Sequence, residues 1–388
     1  MTEKLYEKQG MTFNFTATVL SCERAGDRYA VILDRTAFFP GGGGQACDVG
    51  TLGGARVTGA SLSNGAVIHE TETPLEVGAR VAGEVDRSVR FPRMQCHTAE
   101  HIVSGLIHAR YGYDNVGFHL GADEVTMDFN GELSREQLDG IEDLANAAVF
   151  ADLPVTVSFP TSEELPSLSY RSKLDLSENV RLVTVEGIDV CACCAPHVEK
   201  TGEIGLIRLL GFIRYKGGVR IRLVAGERAL FDYRARCRAV ETVSELLSVP
   251  QKKIADGVER ALAASDTLAQ NNAALRRRLA ELLAGDPTPT DGNRTFFLSD
   301  IESDPDVARH LAAIALKSTG GLVAVCYAKS ENGFRYLLAS ERVDLRVVLP
   351  EINRALSGRG GGKPGMAEGT FASSREEIER FFRTKKFD

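Results

Sequence analysis

Between residues 13 and 90, short segments alternate apolar and polar positions and are separated by glycines and turn dipeptides. The segments are rich in Val, Ile, Thr and Tyr, as in ATVLSCE, RYAVILD, ARVTGASLS and GAVIHET. A two-residue period with β-branched side chains is typical of half-buried strands. The pattern therefore predicts a small β-rich domain, a barrel or a sandwich, over residues 1–90.

The character of the chain changes near Pro92. Residues 97–110 have helical spacing, with Ile102, Leu106 and Ala109 on one side, and Gly112 is a candidate stop. A predicted strand (GADEVTMDF), a predicted helix over 134–150 and further strands up to about residue 226 follow. This mixture predicts an α+β fold, with a second segment at 91–238.

Residues 241–285 are predicted to be helical, with a break or kink at Pro250. Two seven-residue series occupy d and a positions of a heptad: Ile254, Ala261, Leu268, Leu275 and Leu282, then Val258, Ser265, Asn272 and Leu279. An Asn at an a position can fix the register and number of paired helices. We therefore predict a long coiled-coil-like helix over 239–286 and a homodimer through residues 254–282. Because the small and polar seam residues weaken pairing, a helix packed on its own domain is the alternative.

A boundary follows this helix, since the segment GDPTPTDGN is rich in Pro, Gly and Asp. Beyond it lie the apolar segments GGLVAVCYA and FRYLLAS, a predicted helix over 347–356 and a glycine cluster at 358–362. These features predict a separate α/β domain over residues 293–388, which is the C-terminal part of the predicted fold.

The composition and charge of the chain limit the classes of partner that it can bind. The chain has 388 residues, of which 43% are hydrophobic, and a formal net charge of −7. Its N-terminus has no apolar signal-peptide core, and no apolar run reaches the roughly 20 residues of a membrane span, so we expect a cytoplasmic protein with no membrane partner. A local basic run can meet phosphates or simply form a solvated hairpin face. Its members are Arg208, Arg214, Lys216, Arg220, Arg222 and Arg228.

Histidine and cysteine pairs suggest a metal site. With no secretory signal, the eight cysteines favour metal binding or buried thiols over disulfides. His97 and His101 lie one turn apart on one helical face, and Cys193 and His197 form a second pair. Two such pairs from distant segments can close a tetrahedral set for Zn²⁺, and a histidine-rich set is more typical of a working site than of a structural one.

Each pair is weak by itself. H-x-x-x-H arises by chance and is not the H-E-x-x-H of metalloproteases, because the glutamate falls at position 100. Glu100 lies about 100° round the helix from His101, which predicts that it points away from the ligand face. Cys193 could instead be a buried thiol, His197 a hydrogen-bonded turn residue, and the cysteines at 191 and 194 alternative ligands.

Four motifs in a fixed order carry a family resemblance. Residues 34–50 (DRTAFFPGGGGQACDVG) resemble the D-x-T-x-F-Y-P-x-x-G-G-Q-x-x-D-x-G signature of the alanyl-tRNA synthetase editing domain, which also occurs in free-standing AlaX-type editing proteins. Residues 97–101 resemble its H-T-A-x-H helix, and residues 193–205 (CCAPHVEKTGEIG) its C-G-G-T-H-V-x-x-T-G-E-I-G segment. Residues 358–367 (GRGGGKPGMA) resemble the R-G-G-G-K-P-x-M-A box of the DHHA1 domain. Since no adenylate-forming domain precedes these motifs, the chain resembles a long AlaX-type protein.

The resemblance implies a fold, a reaction and a set of site residues. It implies a small barrel-like domain at 1–90, a zinc-binding editing core at 91–238 and a DHHA1-type tRNA-binding domain at 293–388. The implied reaction is hydrolysis of the ester in mischarged tRNA(Ala), chiefly Ser-tRNA(Ala) and, less commonly, Gly-tRNA(Ala). Thr36 and Gln45 would line the amino-acid pocket, with the Thr36 hydroxyl recognising serine, and Cys193 has the ligand offset of the family. We expect Arg359 and Lys363 to contact the RNA backbone, an exposed tight turn being the alternative.

One segment departs from the family pattern. Cys194, Ala195 and Pro196 replace its Gly-Gly-Thr, which removes backbone freedom and a hydroxyl. Two other functions therefore stay open: a catalytically silent, zinc-dependent tRNA-binding or regulatory protein, and a deacylase for another aminoacyl-tRNA. Zinc in such a site could activate water or position the substrate.

Overall fold

The computed structural model describes residues 2–387 apart from 173–179, 286–287, 301–302 and 331–332. The chain folds as two compact units, Met1–Glu241 and Thr242–Asp388. Strands and helices are mixed in both units, so the predicted α+β class is confirmed. The finer division into segments at 1–90, 91–238, 239–286 and 293–388 stays a prediction.

The first unit begins with a six-stranded closed barrel, in the order β2-β3-β7-β6-β5-β8. Before the barrel, β1 (Glu3–Lys4) pairs in parallel with β4 (Arg35–Thr36), and a short helix α1 (Leu5–Lys8) follows β1. Alternate strand residues point inward, so that Val31, Leu33 and Val57 are fully buried. The barrel strands are β2 (Asn14–Ala25), β3 (Arg28–Leu33), β5 (Gly50–Leu52), β6 (Ala55–Ser63), β7 (Ala66–Thr71) and β8 (Arg80–Val85).

Helix α2 (Arg87–Tyr111) leaves the barrel and runs through the centre of the first unit. Asp86 caps its N-terminus by accepting a hydrogen bond from the Ser88 amide, and Gly112 ends it in the left-handed conformation with φ +70°. The helix thus begins ten residues before the predicted 97–110 segment. Pro92 lies inside it, and the long buried face of α2 compensates for the one amide donor that proline lacks.

Helix α2 packs with α3 (Arg135–Phe150) against a four-stranded sheet in the order β14-β15-β10-β9. Ser134 and Gln137 form a capping box at the start of α3, which confirms the helix predicted over 134–150. A second, three-stranded sheet follows the order β11-β12-β13. The strands are β9 (Asn115–Leu120), β10 (Val125–Phe129), β11 (Val155–Ser158), β12 (Leu182–Val185), β13 (Asp189–Ala192), β14 (Ile207–Tyr215) and β15 (Gly218–Ala225).

The basic run on β14 and β15 is largely neutralised by acids from neighbouring elements. Arg220 donates two hydrogen bonds to Asp128, at 2.6 and 2.7 Å. The other pairs are Arg222 with Glu124, Arg214 with Glu132 and Arg208 with Glu142. These contacts favour the solvated hairpin face over a phosphate-binding patch.

Two helices follow the first unit's sheets. Helix α4 (Glu227–Leu247) ends before Pro250, a single 3₁₀ turn occupies Gln251–Lys253, and α5 (Ile254–Ala284) continues for 31 residues. The break predicted at Pro250 is confirmed, although α4 begins well before residue 241. Throughout residues 258–275 every side chain of α5 is exposed.

The second unit is a five-stranded sheet in the order β16-β17-β18-β20-β19 with helices on both faces. The end of α5 and α6 pack on one face, whereas α7 and α8 pack on the other. The elements are β16 (Arg294–Phe297), α6 (Pro305–Leu316), β17 (Val323–Ser330), β18 (Gly333–Ala339), α7 (Leu345–Ala355), β19 (Gly358–Lys363), β20 (Met366–Phe371) and α8 (Arg375–Thr384). No helix among the described residues is long and apolar enough to cross a membrane.

Candidate metal centre and substrate cavity

Helix α2 places His97 and His101 one above the other in the interior of the first unit. Each side chain is only 2% exposed, and their rings lie 5.6 Å apart between centroids. The i, i+4 spacing of a continuous helix dictates this arrangement. The two imidazoles are thus presented together on one face, as the sequence predicted.

Cys193 and His197 come from the loop that follows β13. Arg181 holds this loop by donating hydrogen bonds from Nη1 to the carbonyl oxygens of Cys193, at 2.6 Å, and Ala195, at 2.9 Å. The loop brings the His197 ring to within 4.8 Å of the His97 ring and 4.6 Å of the His101 ring, between centroids. The two sequence-distant pairs therefore form one cluster.

Each of the three histidines has its Nδ1 atom engaged by a side-chain oxygen from outside the cluster. The partners are Gln45 Oε1 for His97, at 2.9 Å, Asp189 Oδ2 for His101, at 3.0 Å, and Thr98 Oγ1 for His197, at 3.1 Å. A carboxylate or amide oxygen can only accept, so Nδ1 of His97 and of His101 carries the proton and Nε2 stays free to bind a metal. Such partners fix the tautomer and the ring orientation of metal-binding histidines.

The four candidate ligand atoms converge on one point. Cys193 Sγ lies 3.6 Å from His97 Nε2 and 3.3 Å from His197 Nε2. All four donor atoms, including that of His101, lie within 4.8 Å of one another. Tetrahedral zinc with Zn–N bonds of about 2.0 Å and a Zn–S bond of about 2.3 Å places N and S about 3.5 Å apart. The donor set and its spacing therefore fit a tetrahedral metal ion. Cys194 lies outside this group, and Cys191 belongs to another with His101 and Asp189.

The electrostatics of the cluster favour the ligand form for Cys193 and His197 but not for His101. Burial opposes the charged form of His101, yet its hydrogen bonds with Asp189 and Cys193 raise its pKa well above the usual value, so that a metal bound there would displace a proton. Burial, the main cause, lowers the pKa of His197 to about 3, so this imidazole is neutral at physiological pH. Burial opposes the Cys193 thiolate, but electrostatic attraction to His97 and hydrogen bonds from His101 and His197 hold the pKa of this thiol well below its usual value. Burial also opposes ionisation of Asp189, yet hydrogen bonds from His101 and Arg171 lower its pKa to about 2. A thiolate and neutral imidazoles are the forms that bind a metal.

Asp189 and Thr98 are site residues that the sequence analysis missed. Arg171 binds Asp189 through two hydrogen bonds, of 2.7 and 2.9 Å, which orients the carboxylate toward His101. Thr98 lies between the two ligand histidines of the H-x-x-x-H pattern, and its hydroxyl also accepts a hydrogen bond from the Val198 amide at 3.3 Å. The position of Thr98 inside the motif was a usable signal, whereas Asp189 could be found only from tertiary structure.

The predicted orientation of Glu100 is wrong. Its carboxylate is 5% exposed, and Oε2 lies 3.8 Å from His101 Nε2, on the ligand side of the helix. Ser104 and Asn115 donate hydrogen bonds to Oε1 at 2.7 and 2.6 Å. These two donors hold the Glu100 side chain beside His101, although the Cα positions of the two residues are about 100° apart around the helix axis. Glu100 is therefore part of the site.

A cavity of about 1200 Å³ opens onto the cluster. His97, His101 and Cys193 lie on its wall together with Glu100 and Phe118. Gly43 and Cys194 also line the cavity. The glycine-rich loop at residues 41–44 lies next to the loop that carries Cys193 and His197, since a Cβ on Gly42 would lie 3.6 Å from Cys194 Sγ. The candidate metal cluster is thus accessible to a ligand of substantial size.

Gln45 and Thr36 occupy different surroundings. Gln45 is 3% exposed and is hydrogen-bonded to His97 through Oε1. Its amide nitrogen Nε2 has no hydrogen-bond partner among the described residues. Thr36 is fully buried, does not line the described wall of the cavity, and contacts His69 Nε2 through its hydroxyl at 2.8 Å. The structure therefore brings Gln45 to the cluster and places Thr36 in the barrel interior.

The hydrogen bonds around Thr36 determine how many further hydrogen bonds its hydroxyl can form. His69 Nδ1 lies 3.1 Å from the Val31 carbonyl and must donate to it, so Nε2 accepts the Thr36 proton. Burial lowers the pKa of His69 to about 4, which keeps this ring neutral. Because the Phe38 amide also donates to Thr36 Oγ1, at 3.1 Å, only one lone pair of the hydroxyl is left.

Arg359 and Lys363 lie in the second unit, on the edge strand β19. Positions 359, 361 and 363 share one strand face, and a Cβ at Gly361 would meet open space. Glycines 360 and 362 are required, since a Cβ there would lie within 2.1 and 2.2 Å of neighbouring atoms. Both basic side chains are exposed and form no ion pair within the described ranges. The glycine cluster, for which a tight turn was the alternative, is therefore an exposed strand carrying two cations, and the expected RNA contact of Arg359 and Lys363 stays a prediction.

Comparison with known proteins gives these features a context. Two family profiles match, the threonyl and alanyl tRNA synthetase second additional domain at residues 180–223 and the DHHA1 domain at residues 293–385. The alanyl-tRNA editing protein AlaX-L of Pyrococcus horikoshii is 27% identical, with 97% of this chain and 96% of the relative covered. Over nearly its whole length, the chain is therefore similar to an AlaX-type alanyl-tRNA editing protein.

Other relatives include editing proteins and alanine–tRNA ligases. The alanyl-tRNA editing protein Aarsd1-A of Xenopus laevis is 27% identical over 90% of this chain and 87% of its own length. The alanine–tRNA ligase of Natronomonas pharaonis is 32% identical, but this chain spans only 42% of it. The solved C-Ala domain of Aquifex aeolicus alanyl-tRNA synthetase matches 24% of the chain at 18% identity and a TM-score of 0.19, which is too low to support a structural conclusion.

Proposed function

We propose that the protein is a trans-editing hydrolase that deacylates mischarged tRNA(Ala), chiefly Ser-tRNA(Ala) and, to a lesser degree, Gly-tRNA(Ala). The observation that carries the proposal is the buried cluster of three anchored histidines and one cysteine at the wall of an open cavity. AlaX-L and Aarsd1-A, which this chain covers over 96% and 87% of their own length, are named alanyl-tRNA editing proteins, which supports tRNA(Ala) as the partner.

His97, His101, Cys193 and His197 would hold Zn²⁺ in this proposal. The set of three imidazoles and one thiolate, with donor atoms 3.3 to 3.6 Å apart where measured, suits zinc better than Mg²⁺ or Ca²⁺, which prefer oxygen ligands. When bound there, zinc would supply a Lewis acid close to the ester. The protein's own contribution is to fix three ring orientations through Gln45, Asp189 and Thr98.

Gln45 and Thr36 would select the amino acid. The unpartnered amide of Gln45 is a buried donor that a substrate oxygen can satisfy, and an unmet donor of this kind costs about 1–3 kcal/mol. Thr36 keeps one lone pair that could accept a hydrogen bond from a serine hydroxyl, a group that alanine lacks. Because Thr36 is fully buried and does not line the described wall of the cavity, this contact would require the segment around Thr36 to open when the substrate binds. Selecting serine over alanine by a hydroxyl contact follows the rule that a polar site rejects an analogue lacking its partner group.

The second unit would bind tRNA, and α5 would join two copies of the chain. Arg359 and Lys363 present two free cations beside Gly361, where no side chain blocks a backbone phosphate. On α5, Leu268, Leu275 and Leu282 form an exposed heptad row, each between 65% and 69% exposed. A homodimer would bury this row, as the heptad pattern predicts.

Deacylation assays test the proposed function directly. Zinc-loaded protein is incubated with Ser-tRNA(Ala), Gly-tRNA(Ala) and Ala-tRNA(Ala), beside a zinc-stripped control and a Thr36→Val variant. We expect rapid loss of serine, slower loss of glycine and retention of alanine, with activity lost on stripping and serine hydrolysis weakened in Thr36→Val. Binding of tRNA without hydrolysis would favour a regulatory protein, and hydrolysis of a different aminoacyl-tRNA would redirect the substrate assignment.

A further inference from the structure

Glu100 is a buried carboxylate in the cavity that the metal cluster does not use. It is 5% exposed and lies on the cavity wall, directly before the ligand His101 in α2. The four donor atoms of the cluster lie within 4.8 Å of one another, and Glu100 is outside this group. A buried charge requires a compensating partner, so this side chain calls for an explanation.

The hydrogen bonds of Glu100 give it a directed free oxygen. Ser104 and Asn115 both donate to Oε1, and Asn115 also donates to Ser104 at 3.0 Å. This triangle fixes the carboxylate plane and leaves Oε2 facing His101 Nε2 at 3.8 Å. Since Nε2 is the atom that would face the metal, Oε2 lies beside the place where an ester would bind.

Among the described residues, Glu100 has no hydrogen bond from a lysine or arginine, although Arg171 is close enough to interact with its charge. Within the part of the chain that the structure describes, the only ion-pair distance of this carboxylate is the one to His101, whose Nε2 is committed to the metal cluster. Arg171 directs its two hydrogen bonds to Asp189 instead. Oε2 therefore keeps hydrogen-bond capacity that a cationic group of a bound ligand could use, beside the positive charges of Arg171 and of the proposed zinc ion.

We propose that Glu100 binds the α-ammonium group of the aminoacyl ester. The inference rests on the proposed deacylase function and adds a substrate class: esters of amino acids with a free α-ammonium, not N-acylated or deaminated ones. An aminoacyl ester carries one cation, two bonds from the carbonyl carbon that would approach the metal, and Glu100 Oε2 offers the matching acceptor. Such charge-assisted hydrogen bonds are the stronger class.

Binding of two non-hydrolysable probes tests this assignment. The probes are 3′-deoxy-3′-(L-serylamino)adenosine and its deaminated counterpart, 3′-deoxy-3′-(3-hydroxypropanoylamino)adenosine, titrated calorimetrically into zinc-loaded protein. Wild-type protein should bind the seryl probe about 10-fold or more tightly than the deaminated one, since a charged hydrogen bond contributes about 1.5–3 kcal/mol. In Glu100→Gln, which keeps the acceptor for Ser104 and Asn115, this ratio should fall to near one with unchanged zinc content and unchanged affinity for the deaminated probe.

Asp114→Asn is the matched control. Asp114 also lines the cavity, but its side chain is 60% exposed and pairs with His108 at 3.0 Å, so its variant should keep the wild-type ratio. A retained ratio in Glu100→Gln, equal weakening for both probes, or a loss of zinc would overturn the assignment to the α-ammonium group. If wild-type protein binds neither probe, the proposed deacylase function fails as well, which separates that outcome from the others.

Discussion

The candidate metal cluster and helix α5 are both built on regular spacing of side chains, yet among the described residues only the cluster is enclosed by the rest of the chain. The three histidines of the cluster are 2% to 4% exposed, and each has its Nδ1 held by an oxygen of another residue. By contrast, Leu268 and Leu275 on α5 are 68% and 69% exposed. A set of metal ligands needs only a fold that brings the side chains together. An apolar helix face needs a second apolar surface to cover it, and the described residues do not cover Leu268 and Leu275.

The largest expected effect comes from removing one ligand of the cluster. His97→Ala should lower zinc affinity by at least about 100-fold and abolish zinc-dependent deacylation, because loss of a ligand exceeds the 10–100-fold cost of losing a ligand's hydrogen-bond partner. Metal content after dialysis against a competing chelator measures the change. Full zinc occupancy in the variant would remove His97 from the ligand set.

A smaller effect is expected from the residue that orients His101. Asp189→Asn keeps the shape but removes the charge that faces both His101 and Arg171, and should weaken zinc binding about 10–100-fold. The matched control is Asp128→Asn, which removes a carboxylate with two similar hydrogen bonds to Arg220 far from the ligands in sequence. If both variants bind zinc alike, Asp189 has no specific role in orienting the ligand.

A third prediction concerns the exposed leucine row of α5 and the dimer that it would form. Leu268→Glu combined with Leu275→Glu should raise the dimer dissociation constant by at least about 10-fold, since it places charges in an apolar seam, and should leave zinc content unchanged. Sedimentation equilibrium gives the dissociation constant. Gln270→Glu, an exposed position off the seam, is the control. Wild-type protein that is monomeric at all concentrations would refute the dimer.

The smallest effects are expected on β19. Arg359→Ala and Lys363→Ala should each weaken tRNA binding several-fold and reduce the slope of log affinity against log salt by about one. Arg346→Ala removes an exposed arginine that is already paired with Asp344 and serves as control. An unchanged salt dependence in both β19 variants would exclude these residues from the tRNA contact.

The sequence predicted the parts of the site that depend on local spacing. His97 and His101 are adjacent because four residues make about one helical turn, and the Ser134 capping box marks the start of α3. The break at Pro250 is local in the same sense, since proline and the residue before it disfavour a continuous helix. Such features are set within a few residues of the chain.

Features that depend on distant residues could not be predicted in this way. The rotation of Glu100 about the helix axis indicated the wrong side, because Asn115, from the next strand, holds its carboxylate toward the cavity. Asp189 lies 88 residues from the histidine it orients, and Asp128 neutralises Arg220 across 92 residues. Only the fold brings these charges together, so the sequence alone left both interpretations of the basic run open, missed Asp189 and placed Glu100 on the wrong side of the helix.

The central claim is that His97, His101, Cys193 and His197 bind one zinc ion together. X-ray absorption at the zinc edge, on stoichiometrically loaded full-length protein, tests it most directly. We predict a first shell with one sulfur at about 2.3 Å and three nitrogens at about 2.0 Å, and loss of the sulfur contribution in Cys193→Ser. A shell without sulfur, or one with two or more sulfur atoms, would contradict this ligand set.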